Sequence, residues 1–388
     1  TFSGYVARSG TLNQNLGAHL TLTTTAKGSA TGKLLIGKTS ATFRGQLTLA
    51  DGVTTSATLE AMLTPRNQPP LALHLTIPQD GSAATGTVRP AAGGSAQATL
   101  TAWKNPWHKK TLPATSQAGA YTLVMENPVE NTRYPVGYTT ATLATALDGK
   151  VKWTLYPADG SPALKGATTI STDGHLPLYA VEASPTGTIV GWLRLPDRFG
   201  TDPLTPGDLT WNRAPVTQTG KKGVQTYPAG FDPLPLAIEG APYTPPAKNE
   251  LLFGLVPEDG NTQLELYESE AVDFGEQAWL LEGIYFGLGT NNKVRAPQIQ
   301  IKPKLTLKPA TGEFSGSLTL ADPDPANPKK TIRRTVKYAG VVMQNWKQGI
   351  GYYLIPPLPA AAAEATPAGP LSGEIYYGPR EPDDYNDW

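Results

Sequence analysis

The stretch PLYAVEASPTGTIVGWLRL, residues 177–195, decides the fold. Apolar and small residues alternate with other residues along it, which is the two-residue period of a β-strand. Residues 185–187 (Pro-Thr-Gly) interrupt the run, and a second run places Val190, Trp192 and Arg194 on one face. Two alternating runs around a glycine-containing turn predict an antiparallel β-hairpin.

Hairpins of the same type recur in two other parts of the chain, at residues 71–88 and 352–376. Each of the three follows a short aromatic segment and then an alternating segment that ends at a glycine. The aromatic segments are 2–5, 119–125 and 251–256, and the glycines are Gly28, Gly149 and Gly312. This order predicts three divergent copies of one antiparallel meander, with five or six strands in each copy.

The copies differ mainly in length at two places, as expected where loops tolerate insertions better than strands. The third copy has a longer predicted loop at residues 322–330, and the first has an extra predicted strand at residues 55–63. The hairpin is interpreted as the closing element of each copy. Trp192 is replaced by Thr87 and Glu374 in the other copies, so we interpret it as a local packing or contact residue.

The predicted division follows these copies. Residues 1–118 are the first meander with its connector, 119–212 the second meander, 213–249 a connector rich in Gly and Pro, 250–378 the third meander, and 379–388 an acidic tail. Large apolar groups in the connectors, Trp107, Tyr227 and Phe231, are costly to leave in water. We therefore expect the connectors to pack on neighbouring copies.

The predicted fold class is all-β, with antiparallel meanders and almost no helix. Three meanders can cover their open edges in several ways. They can form three separate small barrels or sandwiches, a pseudo-threefold arrangement, or one large closed barrel. The sequence leaves these alternatives open.

Composition excludes several classes of function. The 388 residues carry no net charge, so nothing in the overall charge favours nucleic acid as a partner. No apolar run reaches the about 20 residues of a membrane-spanning helix. The absence of cysteine excludes disulfides, thiolate metal sites and cysteine catalysis. Together with the low charge and abundant Thr, it favours an exported bacterial protein, extracellular or on the cell surface after removal of a signal peptide.

Several of these motifs together resemble a known family. They are Gly119–Val124 (GAYTLV), 149–152 (GKVK), 173–179 (DGHLPLY), the Gly187-x-x-x-Gly191-Trp-Leu segment and 227–231 (YPAGF). This combination resembles an uncharacterised all-β module of large, immunoglobulin-repeat-bearing surface proteins from Planctomycetes and Verrucomicrobia. The resemblance covers residues 1–378 and is strongest in the middle third. It implies export and a role at the cell surface, and it implies no activity.

No motif predicts a catalytic, cofactor-binding or metal-binding residue. The four histidines, His19, His74, His108 and His175, are not at metal-ligand spacing, and the nucleophile-elbow sequence Gly-x-Ser-x-Gly is absent. Acidic segments at 322–324 and 383–387 leave bound calcium as an alternative, although neither matches an EF-hand.

Six aromatic residues are the candidates for contact with a partner protein or a glycan. They are Trp103, Trp107, Tyr267, Trp279, Tyr385 and Trp388. Tyr267 and Trp279 lie in an acidic stretch with Glu265, Glu268, Glu270, Asp273, Glu276 and Glu282. Acids beside aromatic rings suit a sugar-binding groove or a glycosidase. The favoured interpretation is a strand with Glu265 and Tyr267 facing outward, followed by a solvated loop.

The leading hypothesis is an exported, non-enzymatic structural or adhesive surface protein. It would act by self-assembly, with other surface proteins, or as a module of a larger surface structure. A carbohydrate-binding module is the first alternative, with a polysaccharide as partner. A polysaccharide-active enzyme is the second alternative.

Overall fold

The computed structural model describes residues 1–49, 56–80, 82–129, 131, 133–182, 187–198, 207–215, 226–267, 283–325, 327–358 and 369–380. Strands make up 60% of the structure and helices 4%. The strands form three antiparallel eight-stranded sheets, each closed or nearly closed into a barrel. The all-β prediction is confirmed, and among the open alternatives the structure has separate barrels.

The first barrel contains eight strands in chain order. They are β1 (Phe2–Val6), β2 (Ala18–Thr24), β3 (Ser29–Ile36), β4 (Thr39–Leu49), β5 (Ser56–Leu63), β6 (Leu71–Pro78), β7 (Ala84–Pro90) and β8 (Ala98–Lys104). Strand β1 pairs with β2 on one side and with β8 on the other. Pairing of the first strand with the last therefore closes the barrel.

The second barrel repeats this up-and-down path. Its strands are β9 (Gly119–Glu126), β10 (Thr139–Thr145), β11 (Lys150–Tyr156), β12 (Leu164–Thr169), β13 (His175–Val181), β14 (Gly187–Arg194), β15 (Asp208–Arg213) and β16 (Phe231–Tyr243). Strand β9 again pairs with the second and last strands, β10 and β16. The sheet order ends at the consecutive strands β12 and β13.

The third barrel follows the same rule. Its strands are β17 (Glu258–Leu266), β18 (Ile284–Gly289), β19 (Lys293–Arg295), β20 (Lys304–Lys308), β21 (Glu313–Asp324), β22 (Asn327–Met343), β23 (Gln348–Ile355) and β24 (Leu371–Pro379). Strand β17 pairs with β18 and β24, and the order ends at β19 and β20. All three barrels thus share one topology.

Each barrel has more strands than the five or six predicted, because some strands lie in segments that were predicted to be loops or connectors. Strand β16 lies inside the predicted connector 213–249 and pairs with β9. The hairpins β6–β7 and β13–β14 therefore do not close the first and second barrels, whereas in the third copy β24 of the predicted hairpin does pair with the first strand, β17. The predicted aromatic strand at 251–256 is instead a loop with one 3-10 turn, Leu252–Gly254.

The predicted loop at residues 322–330 is also corrected. Strands β21 and β22 extend through most of it and pair with each other as far as Asp324 and Asn327, with a register shift after Pro323. The insertion therefore lengthens a hairpin, because added residues that keep alternating can continue a ladder. The strand predicted at 55–63 is present as β5, but it is not an extra strand of the first copy, because all three barrels have eight strands.

Alternating apolar residues fill each barrel. In β6 the inward residues Leu71, Leu73, Leu75 and Ile77 are buried, and the residues between them are half-buried. The first barrel is filled almost wholly by aliphatic side chains, whereas rings such as Trp153 and Phe314 are in the cores of the second and third.

Glycines within strands make room for these rings. Each of several glycines lies directly opposite an aromatic residue on the neighbouring strand, and the ring covers the glycine. The pairs are Gly32–Phe43, Gly166–Trp153, Gly316–Tyr338, Gly340–Phe314 and Gly373–Tyr353. A Cβ atom at Gly166 would lie 2.2 Å from the Trp153 ring, so the close approach requires glycine.

Helical structure is confined to short turns in the described residues. The helix α1 (Gly10–Asn13) begins after Ser9, whose side chain accepts a hydrogen bond from the Leu12 amide, an ordinary N-cap. Further 3-10 turns are Thr290–Asn292 and Gln344–Trp346. No helix among the described residues has the length and hydrophobicity to span a membrane.

Candidate functional site

The joint between the first and second barrels is built from polar side chains of the barrel walls. Arg8, which follows β1, donates five hydrogen bonds. Four of them reach Thr188 in β14 and Thr210 in β15, at 2.7–2.9 Å, and one reaches the Asn15 carbonyl. Burial lowers the pKa of Arg8 to about 10. The Thr188 hydroxyl in turn donates to the Leu16 carbonyl at 2.8 Å.

A second part of this joint surrounds Tyr179 of β13. Its hydroxyl accepts a hydrogen bond from the Gly37 amide at 2.6 Å and donates to the Gly17 carbonyl. The ring stacks on His19 of β2, and the His19 ring hydrogen-bonds Ser3 at 2.9 Å. Burial, aided by the charge of Lys33, lowers the pKa of His19 to about 4. The imidazole is therefore neutral near pH 7.

Two predicted contact residues, Trp103 and Trp107, belong to this joint. The Trp103 ring stacks on His175 of the second barrel at 5.4 Å, and His175 also contacts Trp192. Trp107 packs against the core of the second barrel and donates to the Ser171 carbonyl. Both rings thus contact a neighbouring barrel of the same chain. The expectation that the connectors pack on neighbouring copies is confirmed for Trp107, whereas Tyr227 and Phe231 pack in the core of the second barrel, to which β16 belongs.

The joint between the second and third barrels is similar in kind. Ser372 of β24 donates to the Ala158 carbonyl at 2.7 Å, and Thr122 of β9 donates to the Val342 carbonyl at 2.9 Å. The Tyr156 hydroxyl donates to the carboxylate of Glu313. The second barrel therefore makes hydrogen-bonded contacts with both of its neighbours.

The second barrel also buries an ion cluster that sequence reasoning missed. Arg213 is fully buried and pairs with Asp159 at 2.6 Å and Glu182 at 2.7 Å. Trp211 and Thr226 donate hydrogen bonds to these carboxylates. Burial lowers the pKa of Arg213, but the two carboxylates more than offset burial and raise it. A buried cluster that satisfies its own charges is a structural element.

Asp322, from the acidic segment considered for calcium, is engaged in another buried ion pair. Arg334 donates to both of its carboxylate oxygens, at 2.8 and 3.0 Å. The second acidic segment, 383–387, lies outside the described residues. Within the described part of the chain, no three acidic or histidine side chains lie close enough together to hold a metal ion.

A groove on the outer wall of the third barrel lies next to Tyr267, a predicted contact residue whose ring touches the groove residue Tyr376. We call it the β24 groove and define it by Gln263, Glu265, Trp346, Lys347, Gln348, Tyr376 and Gly378; its volume is about 350 Å³. Strand pairing aligns its floor, because Gln263 of β17 lies opposite Gly378 of β24, and Glu265 lies opposite Tyr376. Gly378 has no side chain to fill the space between its neighbours.

The turn from β22 to β23 forms one end of the β24 groove. The 3-10 turn Gln344–Trp346 ends at Lys347, whose backbone is left-handed with φ 52°. The Gln344 amide group exchanges two hydrogen bonds with the backbone of Thr244, at 2.6 and 2.7 Å. Trp346 is thereby held at the groove with its side chain exposed.

Tyrosine rings and carboxylates extend this surface toward the joint with the second barrel. Tyr267 is 50% exposed, and its ring contacts Tyr376 edge-on at 4.8 Å. Tyr376 donates to Glu374 at 3.0 Å and contacts Tyr138 of the second barrel. Burial is the main cause of a raised pKa at Tyr267, and the nearby carboxylates of Glu265 and Glu374 raise the pKa further.

Of the six predicted contact residues, only Tyr267 borders this groove among the described residues. Trp279, Tyr385 and Trp388 lie outside the described residues, as do Glu268, Glu270, Asp273, Glu276 and Glu282. Sequence reasoning missed Trp346, Gly378 and the two glutamines. For Gln263 and Gly378 the available signal was their alternation with buried neighbours in β17 and β24, but it does not show which strands pair.

Comparisons with known proteins give no relationship from which function can be transferred. No protein-family model matches the chain, and neither a curated protein nor a solved structure is significantly similar to it.

Proposed function

We propose that this chain is an exported, non-enzymatic structural or adhesive module of a cell surface, in which three barrels act as one rigid unit. The observation that carries the proposal is Arg8, which makes four hydrogen bonds to the second barrel. Reorienting the barrels would leave its guanidinium and several carbonyl groups without partners, at a cost of about 1–3 kcal/mol for each buried group.

A rigid unit suits a protein that presents surface to a partner. A flexible chain of domains loses conformational entropy when it binds a partner. Domains in a fixed arrangement avoid most of that loss. Self-association or contact with other surface proteins would then use the outer walls of the barrels. The surface location remains an inference from the composition and the family resemblance.

Light scattering of the purified chain over a wide concentration range tests the assembly part of the proposal. Concentration-dependent association is expected, and a monomer at every concentration would contradict self-assembly. Incubation with a panel of polysaccharides tests the non-enzymatic part. No release of reducing ends is expected, and sustained release would contradict it.

A further inference from the structure

We propose that the β24 groove is a binding site for a neutral oligosaccharide. This inference extends the proposed function by assigning a ligand class to one wall of the third barrel. It does not depend on rigidity or self-assembly, because all the groove side chains belong to the third barrel.

The size and position of the groove suit a small ligand. Its volume of about 350 Å³ falls in the range of small-molecule sites in proteins, about 300–1,000 Å³. It lies beside the joint with the second barrel, since Tyr376 contacts both Tyr138 and Tyr267. Ligand sites are common at such boundaries between domains.

The side chains have the chemistry that recognises sugars. Trp346 and Tyr267, which are 42% and 50% exposed, offer rings that can cover the apolar C–H faces of a sugar. Gln263, Gln348 and Glu265 line the groove, where the Gln263 amide donates a hydrogen bond to Glu265 at 2.8 Å. Amide groups both donate and accept hydrogen bonds and carboxylates accept them, so the set can satisfy hydroxyl groups, which also do both.

The charges favour a neutral sugar over an acidic one. Glu265 lines the groove and Glu374 lies beside it, hydrogen-bonded to Tyr376. Lys347 contributes a single positive charge at one end. A uronic acid would bring another negative charge toward the two carboxylates, which repel it.

An extended peptide is a poorer fit to the same surface. Peptides that add to a sheet need a free strand edge. The floor of the groove is β24, which pairs with β17 on one side and β23 on the other. The groove therefore offers side chains and few backbone groups, as expected for recognition of hydroxyl groups.

The test uses the full chain on an array of neutral glucans, mannans and xylans together with their uronic-acid counterparts, followed by calorimetric titration of the strongest oligosaccharide. Gly378→Leu should fill the groove and Trp346→Ala should remove a ring. At Gly378 an added Cβ atom would lie no closer than 3.4 Å to its neighbours, so the variant should fold. Met62→Ala, at an exposed position on the first barrel, is the matched control.

We expect binding of a neutral oligosaccharide that weakens about tenfold or more in Gly378→Leu and in Trp346→Ala and is unchanged in Met62→Ala. Circular dichroism and the melting temperature establish that each variant is folded. An array without a neutral ligand, preference for the uronic acids, or equal binding by folded Gly378→Leu would overturn the proposal. None of these outcomes affects the tests of rigidity and self-association, so failure of one proposal is distinguishable from failure of the other.

Discussion

The joint between the first two barrels and the outer wall of the third use the same types of side chain in opposite ways. At the joint, Tyr179 and Trp103 are 7% and 9% exposed, and their rings lie against the neighbouring barrel. On the third barrel, Tyr267 and Trp346 are 50% and 42% exposed. Both sets project outward from strands or turns of the barrel wall.

The difference indicates what an aromatic outer wall does in this protein. Where a second barrel meets such a wall, the rings and polar groups form contacts between the two barrels. Where the wall faces solvent, the same groups are available to a ligand. The stability of the chain should therefore be sensitive to changes at the joint and insensitive to changes in the β24 groove.

The largest effect is expected for Arg8→Met, which keeps the apolar stem and removes all five hydrogen bonds. The free energy of unfolding should fall by about 3 kcal/mol, because carbonyl groups at the joint lose a charged donor. Urea denaturation followed by tryptophan fluorescence measures this change. The control Arg44→Met, at an exposed position on β4, should stay within about 0.5 kcal/mol of the wild type. Equal stability of the two variants would show that the joint contributes little.

Protonation of His19 should give the next largest effect. Its pKa is about 4 in the folded protein because of burial, whereas an unfolded histidine has a pKa of about 6.5. Between these values the unfolded chain binds more protons, so the stability contribution present above about pH 6.5 is lost as pH falls toward 4.

Between pH 7 and pH 5 the loss should amount to about 2 kcal/mol, measured by urea denaturation at a series of pH values. His19→Gln should flatten this part of the pH profile, while His74→Gln, on the first barrel's β6, should leave it unchanged. The same pH slope in wild type and His19→Gln would contradict the assignment.

Tyr179→Phe should have a smaller effect at the same joint. The ring and its stacking on His19 remain, but the Gly37 amide and the Gly17 carbonyl lose their partner. A loss of about 1–2 kcal/mol is expected. Tyr285→Phe, at a 39% exposed position on β18, is the matched control and should change stability by less than about 0.5 kcal/mol.

The smallest effect on stability is expected for a change in the solvent-exposed outer wall of the third barrel. Tyr267→Ala removes a half-exposed ring and its edge-on contact with Tyr376, and it should lower the free energy of unfolding by about 1 kcal/mol or less. Thermal and urea denaturation measure it. A loss comparable to that of Arg8→Met would break the comparison, because it would mean that this wall also stabilises the fold.

Local patterns in the sequence predicted the strand type and the threefold division. The alternation in β6 and the recurring glycines near Gly28, Gly149 and Gly312 are such patterns, because the period of a strand and the need for a turn are both local. These patterns did not predict β16, because its sequence contains prolines, which disfavour a strand. Its first half pairs only with β15 and its second half only with β9. An antiparallel ladder needs only alternate N–H groups for one neighbour, so prolines are tolerated there.

The joints and the groove could not be predicted in the same way. Arg8 and Thr188 are 180 residues apart in the chain, and no local pattern connects them. Gln263 and Gly378 meet only because β17 pairs with β24. The acidic and aromatic composition around Tyr267 did identify the region, since composition is local, but strand register selects which residues line the groove.

Distance measurements between spin labels test the central claim, that the barrels form one rigid unit. The chain has no cysteine, so the pairs Met62→Cys with Lys152→Cys and Lys152→Cys with Lys337→Cys label neighbouring barrels uniquely at exposed positions. A single narrow distance distribution is predicted for both pairs, and Arg8→Met should broaden the first pair only. Broad or multiple distances in the otherwise unchanged protein would contradict the account.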